Sequence, residues 1–168
     1  MSKIQISNDR KIVRHKLPAR LSHWLLVICF FITGLSGLAF FFPDFSWLTE
    51  ILGTPQLARF VHPFTGIVMF VAFLNLCRIY WRHNFPEKND WVWLKNIGEV
   101  LKGNEHAVSD NGKYNLGQKM LFWTLILAMI TLLVTGIIMW RQYFSHNFSI
   151  PVIRIAILLH STSAFLLL

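Results

Sequence analysis

The chain contains 168 residues, of which 54% are hydrophobic and only 14% are charged. Soluble globular proteins carry about 25% charged residues, so this composition favours a membrane protein and excludes a disordered chain. Lys and Arg outnumber Asp and Glu by 16 to 8, giving a formal net charge of +8, and two cysteines are too few to staple a secreted disulfide scaffold.

Four apolar runs have the character of membrane-spanning helices, which need about 20 residues. We predict spans over residues 21–42, 61–80, 120–140 and 151–168. The runs lack the alternation of barrel strands, so the predicted fold class is an all-α transmembrane four-helix bundle, forming one domain over residues 1–168. The first run is too long for the apolar core of a signal peptide. The fourth is still apolar where the sequence stops, which predicts an incomplete helix.

Basic residues are distributed unevenly between the loops. Six precede the first predicted span, one lies between the first and second spans, and six lie between the second and third. Because cytoplasmic loops carry an excess of Lys and Arg, the N-terminus and loop 81–119 are predicted to be cytoplasmic. The positive charge therefore indicates topology, and no basic folded domain points to nucleic acid.

Loop 81–119 contains an amphipathic stretch whose apolar positions recur at helical spacing, at Trp91, Leu94, Ile97 and Leu101. Two interpretations stay open. The two tryptophans at its start favour a helix lying at the lipid headgroups, whereas the spacing alone equally fits a helix on the cytoplasmic surface.

Three of the seven histidines lie within or at the edge of the spans, namely His23, His62 and His160. Ionisable residues there are expensive and usually functional, although each imidazole could simply hydrogen-bond a neighbouring helix. With the predicted topology, His62 and His160 lie in the outer half of the membrane on different helices. Two such imidazoles are the axial ligands that a low-spin haem iron takes in a helical bundle.

Small residues near this pair would let a flat porphyrin approach. Gly66 and Ala164 follow the two histidines by four residues, on the same helical faces. The absence of Cys-x-x-Cys-His argues against a c-type haem. Cys29 and Cys77 lack metal-ligand spacing and are predicted to be buried apolar groups. Other small residues in the spans are Gly34, Ser36, Gly37 and Gly136.

His23 lies near the cytoplasmic face, about 20 Å in depth from His160. A partner for it on the fourth span would fall near position 174, beyond Leu168. Either His23 is therefore not a ligand, or its partner lies outside this sequence. The other four histidines lie in or beside loops and are predicted to be solvated: His15, His83, His106 and His146.

Several strings carry a resemblance to a known family. They include Ser22-His23-Trp24, Gly53-Thr54-Pro55-Gln56 and His62-Pro63-Phe64, and the more specific loop strings over residues 99–106 and 112–119. With these strings, the chain resembles the gamma (cytochrome b) subunit of membrane-bound respiratory formate dehydrogenase. The resemblance implies that the sequence is C-terminally truncated.

The resemblance also implies cofactor sites. His62 and His160 match the ligands of an outer haem b, and His23 matches one ligand of an inner haem b whose partner is absent from the chain. Asn115, Gly117 and Gln118 match a site for menaquinone or another quinone. The pair Asn115 and Gln118 equally fits a capping box at the start of the third span, and both roles can coexist.

By this resemblance, the chain carries electrons in anaerobic respiration. They would come from an iron–sulfur beta subunit on the periplasmic side and pass through haem b to the quinone, while a catalytic alpha subunit oxidises formate. Proton uptake from the cytoplasm would generate a proton-motive force. Two alternatives stay open, the cytochrome b subunit of a hydrogenase or sulfur-compound reductase, and a haem-free membrane anchor.

Overall fold

The computed structural model describes residues 17–102 and 114–168, and these residues form six α-helices without a β-strand. Short 3-10 turns over Pro43–Leu52, Trp81–His83 and Ser145–Asn147 connect them. The helices are α1 (Leu17–Phe41), α2 (Pro55–Tyr80), α3 (Asp90–Lys95), α4 (Ile97–Leu101), α5 (Leu116–Met139) and α6 (Ile150–Leu167).

Four of these helices, α1, α2, α5 and α6, are long and apolar enough to cross a membrane, with mean hydropathies between 1.8 and 2.5. Most of their large apolar side chains point outward, and Leu127 and Leu158 are each about two-thirds exposed. Lipid is the solvent that accepts such a surface. The predicted all-α transmembrane bundle is thus confirmed for the described residues.

Helices α2 and α5 begin before the predicted apolar runs because their first turns are polar and capped. The Thr54 hydroxyl accepts a hydrogen bond from the Leu57 amide at 3.1 Å, and Pro55 occupies the first position of α2, where a missing amide proton costs nothing. At α5, Asn115 and Gln118 cap each other. Hydropathy alone does not register these turns.

Neighbouring spans run antiparallel, with α1 packed on α2, α5 packed on α6, and α2 touching α5. Phe41 and Phe165 bring α1 to α6, with ring centroids 5.3 Å apart. We call the end where α2 and α6 begin the Arg141 end, and the opposite one the Lys119 end. The buried core of the bundle contains both cysteines, as predicted, and consists of Cys29, Met69, Phe73, Cys77 and Met129.

The amphipathic stretch is helical on both sides of Asn96, whose side-chain amide donates to the Val92 carbonyl at 3.1 Å and separates α3 from α4. Its four apolar positions, Trp91, Leu94, Ile97 and Leu101, are exposed. His83 and His146 lie in 3-10 turns. His15 and residues 103–113, which include His106 and parts of the loop strings 99–106 and 112–119, lie outside the described residues.

Candidate functional site

The fold brings the imidazoles of His62 on α2 and His160 on α6 close together. Their ring centroids are 6.4 Å apart, and the ring planes are inclined at 52°. An imidazole nitrogen lies about 2 Å from a bound transition metal, so two imidazoles that share one ion have centroids roughly 6 Å apart. The observed spacing therefore suits a single metal ion held between the two rings.

The Ser36 hydroxyl on α1 fixes the tautomer of His62. Its Oγ lies 2.7 Å from His62 Nδ1 and also 2.7 Å from the carbonyl oxygen of Ile32. A carbonyl can only accept, and a hydroxyl has one proton. Ser36 therefore donates to Ile32 and accepts from the Nδ1–H of His62. The Nε2 atom of His62 is left unprotonated, which is the form that binds a metal.

Thr135 on α5 does the same for His160. Its Oγ1 lies 2.9 Å from His160 Nδ1 and donates its proton to the Thr131 carbonyl, 2.5 Å away. Thr135 therefore accepts from the Nδ1–H of His160 and leaves Nε2 with its lone pair. Metal-ligating histidines are almost always oriented by a hydrogen bond of this kind on the second ring nitrogen.

A glycine follows each of these hydroxyl residues and leaves room for the imidazole. A methyl group on Gly37 would lie 3.7 Å from His62 Cε1, and one on Gly136 would lie 3.3 Å from His160 Cε1. The second distance is tighter than an ordinary contact. Ser36-Gly37 and Thr135-Gly136 thus form equivalent seats for the two rings, on the two spans that do not carry them.

An apolar cavity of about 590 Å³ adjoins the histidine pair and has walls from all four spans. Its volume is in the range of cofactor pockets. Gly66 and Ala164, which follow the two histidines by four residues, both line it, and no described residue lies within 4 Å of a methyl group built on Gly66. A flat apolar ring with a central metal fits both this cavity and the two free Nε2 atoms.

We expect Ser36→Ala and Thr135→Val to weaken binding of the metal-centred cofactor about 10- to 100-fold, since loss of the second hydrogen bond frees the ligand's tautomer and orientation. Cofactor content per purified chain and the axial-ligand signals in electron paramagnetic resonance measure this effect. Thr131→Val is the matched control, because within the described part of the chain the Thr131 hydroxyl bonds the Leu127 carbonyl and neither histidine. Equal cofactor content and spectra in all three variants would refute the assignment.

The third span histidine, His23, lies elsewhere. It is exposed on α1, and its one ring contact within the described residues is Trp24, at 6.0 Å between centroids. It precedes Ser36 by 13 residues, which is about 20 Å along a helix axis. It does not line the cavity beside His62 and His160.

Asn115, Gly117 and Gln118 lie at the Lys119 end, outside that cavity. The predicted capping box is present, since Asn115 Oδ1 accepts from the Gln118 amide at 2.9 Å and Gln118 Oε1 accepts from the Asn115 amide at 3.1 Å. A methyl group on Gly117 would lie 3.4 Å from the Trp93 ring. The capping bonds use both side-chain oxygens and leave the two NH₂ groups outside the box.

Sequence reasoning did not identify the roles of four residues at the paired-histidine site. Thr135 was not singled out, although it bonds His160, and Ser36 was noted only for its small size. Arg59 and Arg141 line the same cavity as the histidines, but their positions in loops or near span ends indicated only topology. The sequence signal that could have identified Thr135 is its position directly before a glycine within a span.

Four apolar spans and a half-buried imidazole pair beside an apolar cavity define a multi-pass membrane protein with the donor set of a b-type cytochrome. The chain belongs to the prokaryotic cytochrome b561 family, whose model matches residues 14–168. Membership implies haem b as the cofactor and a bacterial membrane as the location.

Curated relatives agree with this family. The chain is 77% identical over 167 residues to the formate dehydrogenase cytochrome b556 subunit of Haemophilus influenzae, covering 99% of this chain and 70% of the relative. It is 50% identical over 163 residues to the nitrate-inducible formate dehydrogenase cytochrome b556(Fdn) subunit of Escherichia coli K12, covering 97% and 75% of the two chains. The predicted resemblance is confirmed.

Proposed function

We propose that the chain is the membrane cytochrome b subunit of a formate dehydrogenase and carries electrons from an iron–sulfur subunit to the quinone pool. The observation that carries this proposal is the His62–His160 pair, with 6.4 Å between ring centroids and both Nε2 atoms free to bind a metal. The similarity to formate dehydrogenase cytochrome b556 subunits supports the choice of electron donor.

The residues present fit a haem b at this site, with His62 and His160 as its axial ligands. When bound, haem b supplies a one-electron iron couple. Ser36 and Thr135 hold the two imidazoles in one tautomer and one orientation. The site lies between apolar spans, and in such a low-dielectric setting nearby charges act strongly on the iron.

A second haem b is proposed at the depth of His23, with His23 as one of its ligands. The support is the separation of about 20 Å along α1 between His23 and Ser36, which is the distance expected for two sites near opposite membrane faces. His23 is exposed on the bundle surface and is therefore accessible to a cofactor and to a further ligand.

A quinone site is proposed at the start of α5, formed by Asn115, Gly117 and Gln118. The capping box orients both amide side chains through their oxygens, so their NH₂ groups are the atoms available to donate to a quinone carbonyl. Gly117 keeps the backbone free of a side chain between Asn115 and Trp93.

The proposed partners are an iron–sulfur beta subunit and a catalytic alpha subunit that oxidises formate. The distribution of basic residues favours a cytoplasmic Lys119 end and a periplasmic Arg141 end in the inner membrane. Electrons would enter beside His62 and His160 and leave near Asn115, and a quinone reduced there would take its protons from the cytoplasm, as in a redox loop.

Formate-dependent quinone reduction by the assembled complex tests this proposal. We expect Asn115→Ala to slow quinone reduction at least tenfold, because a charge-developing carbonyl loses a positioned donor. Formate should still reduce the cytochrome at the normal rate, as measured by its visible absorbance. Lys102→Ala, in the adjacent exposed helix end, is the control. Quinone reduction at the wild-type rate in Asn115→Ala would exclude this quinone site.

A further inference from the structure

Two arginines line the same cavity as the histidine pair, at its Arg141 end. Arg59 lies on α2 one turn before His62, and Arg141 follows the end of α5, five residues after Gly136. They come from different elements, and both contribute to the walls of one apolar space. Among the lining residues that the structure describes, the cavity therefore has a cationic rim at the Arg141 end.

Neither guanidinium has an acidic partner within residues 17–102 and 114–168. The ion pairs of this part of the chain join Lys102 to Glu99 and Lys119 to Asp90 and Glu87, all at the opposite end of the bundle. Unneutralised cations at the rim of a low-dielectric cavity attract an anion strongly. The two arginines therefore favour a cavity occupant that carries negative charge at the Arg141 end.

Haem b carries two propionate carboxylates on one edge of an otherwise apolar ring. Arginine binds carboxylates through a planar pair of donors and keeps its charge at any physiological pH. We infer that Arg59 and Arg141 bind the two propionates of the haem that His62 and His160 ligate, so that the carboxylate edge faces the Arg141 end. This inference rests on the proposed haem site and extends it to the orientation of the ring.

The assignment also has a consequence for the redox potential. Reduction of the iron adds an electron to the site, and nearby positive charge stabilises the added electron. Two arginines at the propionate edge therefore raise the midpoint potential of this haem. Removal of either arginine should shift the midpoint potential to more negative values. If the arginines only stabilise the local fold, their removal should leave the potential unchanged.

The test compares haem with its dimethyl ester, which has the same ring and iron but no carboxylates. The full-length apo-chain in detergent is titrated with each compound, followed by the low-spin absorbance. We expect the wild-type chain to prefer free-acid haem. Each of Arg59→Gln and Arg141→Gln should reduce that preference about tenfold, the size of one lost charge-assisted hydrogen bond, and the double variant should bind both compounds alike.

Three controls separate the outcomes. Arg154→Gln removes a charge from α6 that does not line the cavity and should leave the preference unchanged. Arg59→Lys, which keeps the positive charge, should retain more of the preference for free-acid haem than Arg59→Gln does. If the double variant keeps the wild-type preference and potential, the arginines serve another anion, such as a lipid phosphate, and the assignment is overturned. If the wild-type chain binds neither compound, or if His62→Ala binds haem as tightly as the wild type does, the haem site itself is refuted.

Discussion

His62→Ala and His160→Ala should each remove the low-spin haem of the paired-histidine site completely. Loss of one axial imidazole leaves the haem iron five-coordinate and therefore no longer low-spin. The chain also binds the haem more weakly, because only one of the two helices then supplies a ligand. Pyridine haemochrome content and low-temperature spectra of the purified chain measure the loss. Retention of the full haem spectrum by either variant would show that the pairing is wrong.

The histidine variants can be distinguished from unfolded protein. In His62→Ala, the Ser36 hydroxyl still donates to the Ile32 carbonyl, so no buried donor is orphaned and the bundle should fold. His146→Ala, in a 3-10 turn away from the cavity, is the matched control. If all three variants are expressed equally and haem is lost from His62→Ala and His160→Ala but not from His146→Ala, the two histidines are haem ligands. A wild-type chain without haem would favour the membrane-anchor alternative.

The four spans were predictable because lipid imposes one simple rule along the chain. Every backbone polar group must be bonded within the helix, and the surface must be apolar, so hydropathy alone locates α1, α2, α5 and α6. The same rule does not locate their ends. Thr54 at α2 and the Asn115–Gln118 box at α5 begin those helices in polar sequence, which is visible only as local capping chemistry.

The histidine pair was predictable from the depth of the two residues in the membrane. His62 and His160 are polar residues at matching distances from the same membrane face, and few other groups in the spans compete for that role. Their hydroxyl partners were not predictable in this way. The spans contain four hydroxyl–glycine pairs, Thr33-Gly34, Ser36-Gly37, Thr65-Gly66 and Thr135-Gly136. Only helix packing decides that the second and fourth face an imidazole.

The role of the two cavity arginines could not be predicted from the sequence for a different reason. In the sequence, Arg59 and Arg141 are single charges near span ends, where basic residues usually report orientation or reach toward headgroups. Their common place at one cavity rim follows from the antiparallel pairing of α2 with α5, which no spacing along the chain encodes. Charges distant in sequence become a binding site through tertiary packing.

A buried ion pair holds α3 against the start of α5. Lys119 and Asp90 are only 2% and 4% exposed, and Lys119 Nζ lies 2.9 Å from Asp90 Oδ2 and 3.2 Å from Oδ1. The Trp123 indole donates to the Asn84 carbonyl nearby, at 2.9 Å. The connection after α2 is thus fixed directly beside the residues proposed for the quinone site.

We expect Lys119→Met to destabilise the protein by about 3–5 kcal/mol, because it leaves the Asp90 carboxylate buried without its partner. Asp90→Leu should have an effect of similar size. The double variant should lose less than the sum of the two, since it buries neither charge. Denaturant titration of the purified chain in mixed micelles, followed by tryptophan fluorescence, measures all three.

The exposed pair Lys102–Glu99, with 2.9 Å between its charged atoms, provides the matched control. Lys102→Met should change stability by less than about 0.5 kcal/mol, as for other exposed helix pairs. If Lys119→Met is no more harmful than this control, the buried pair does not hold α3 in place. If it is harmful and the double variant recovers, the restored stability should also restore quinone reduction, because Asn115 and Gln118 depend on the position of the first turn of α5.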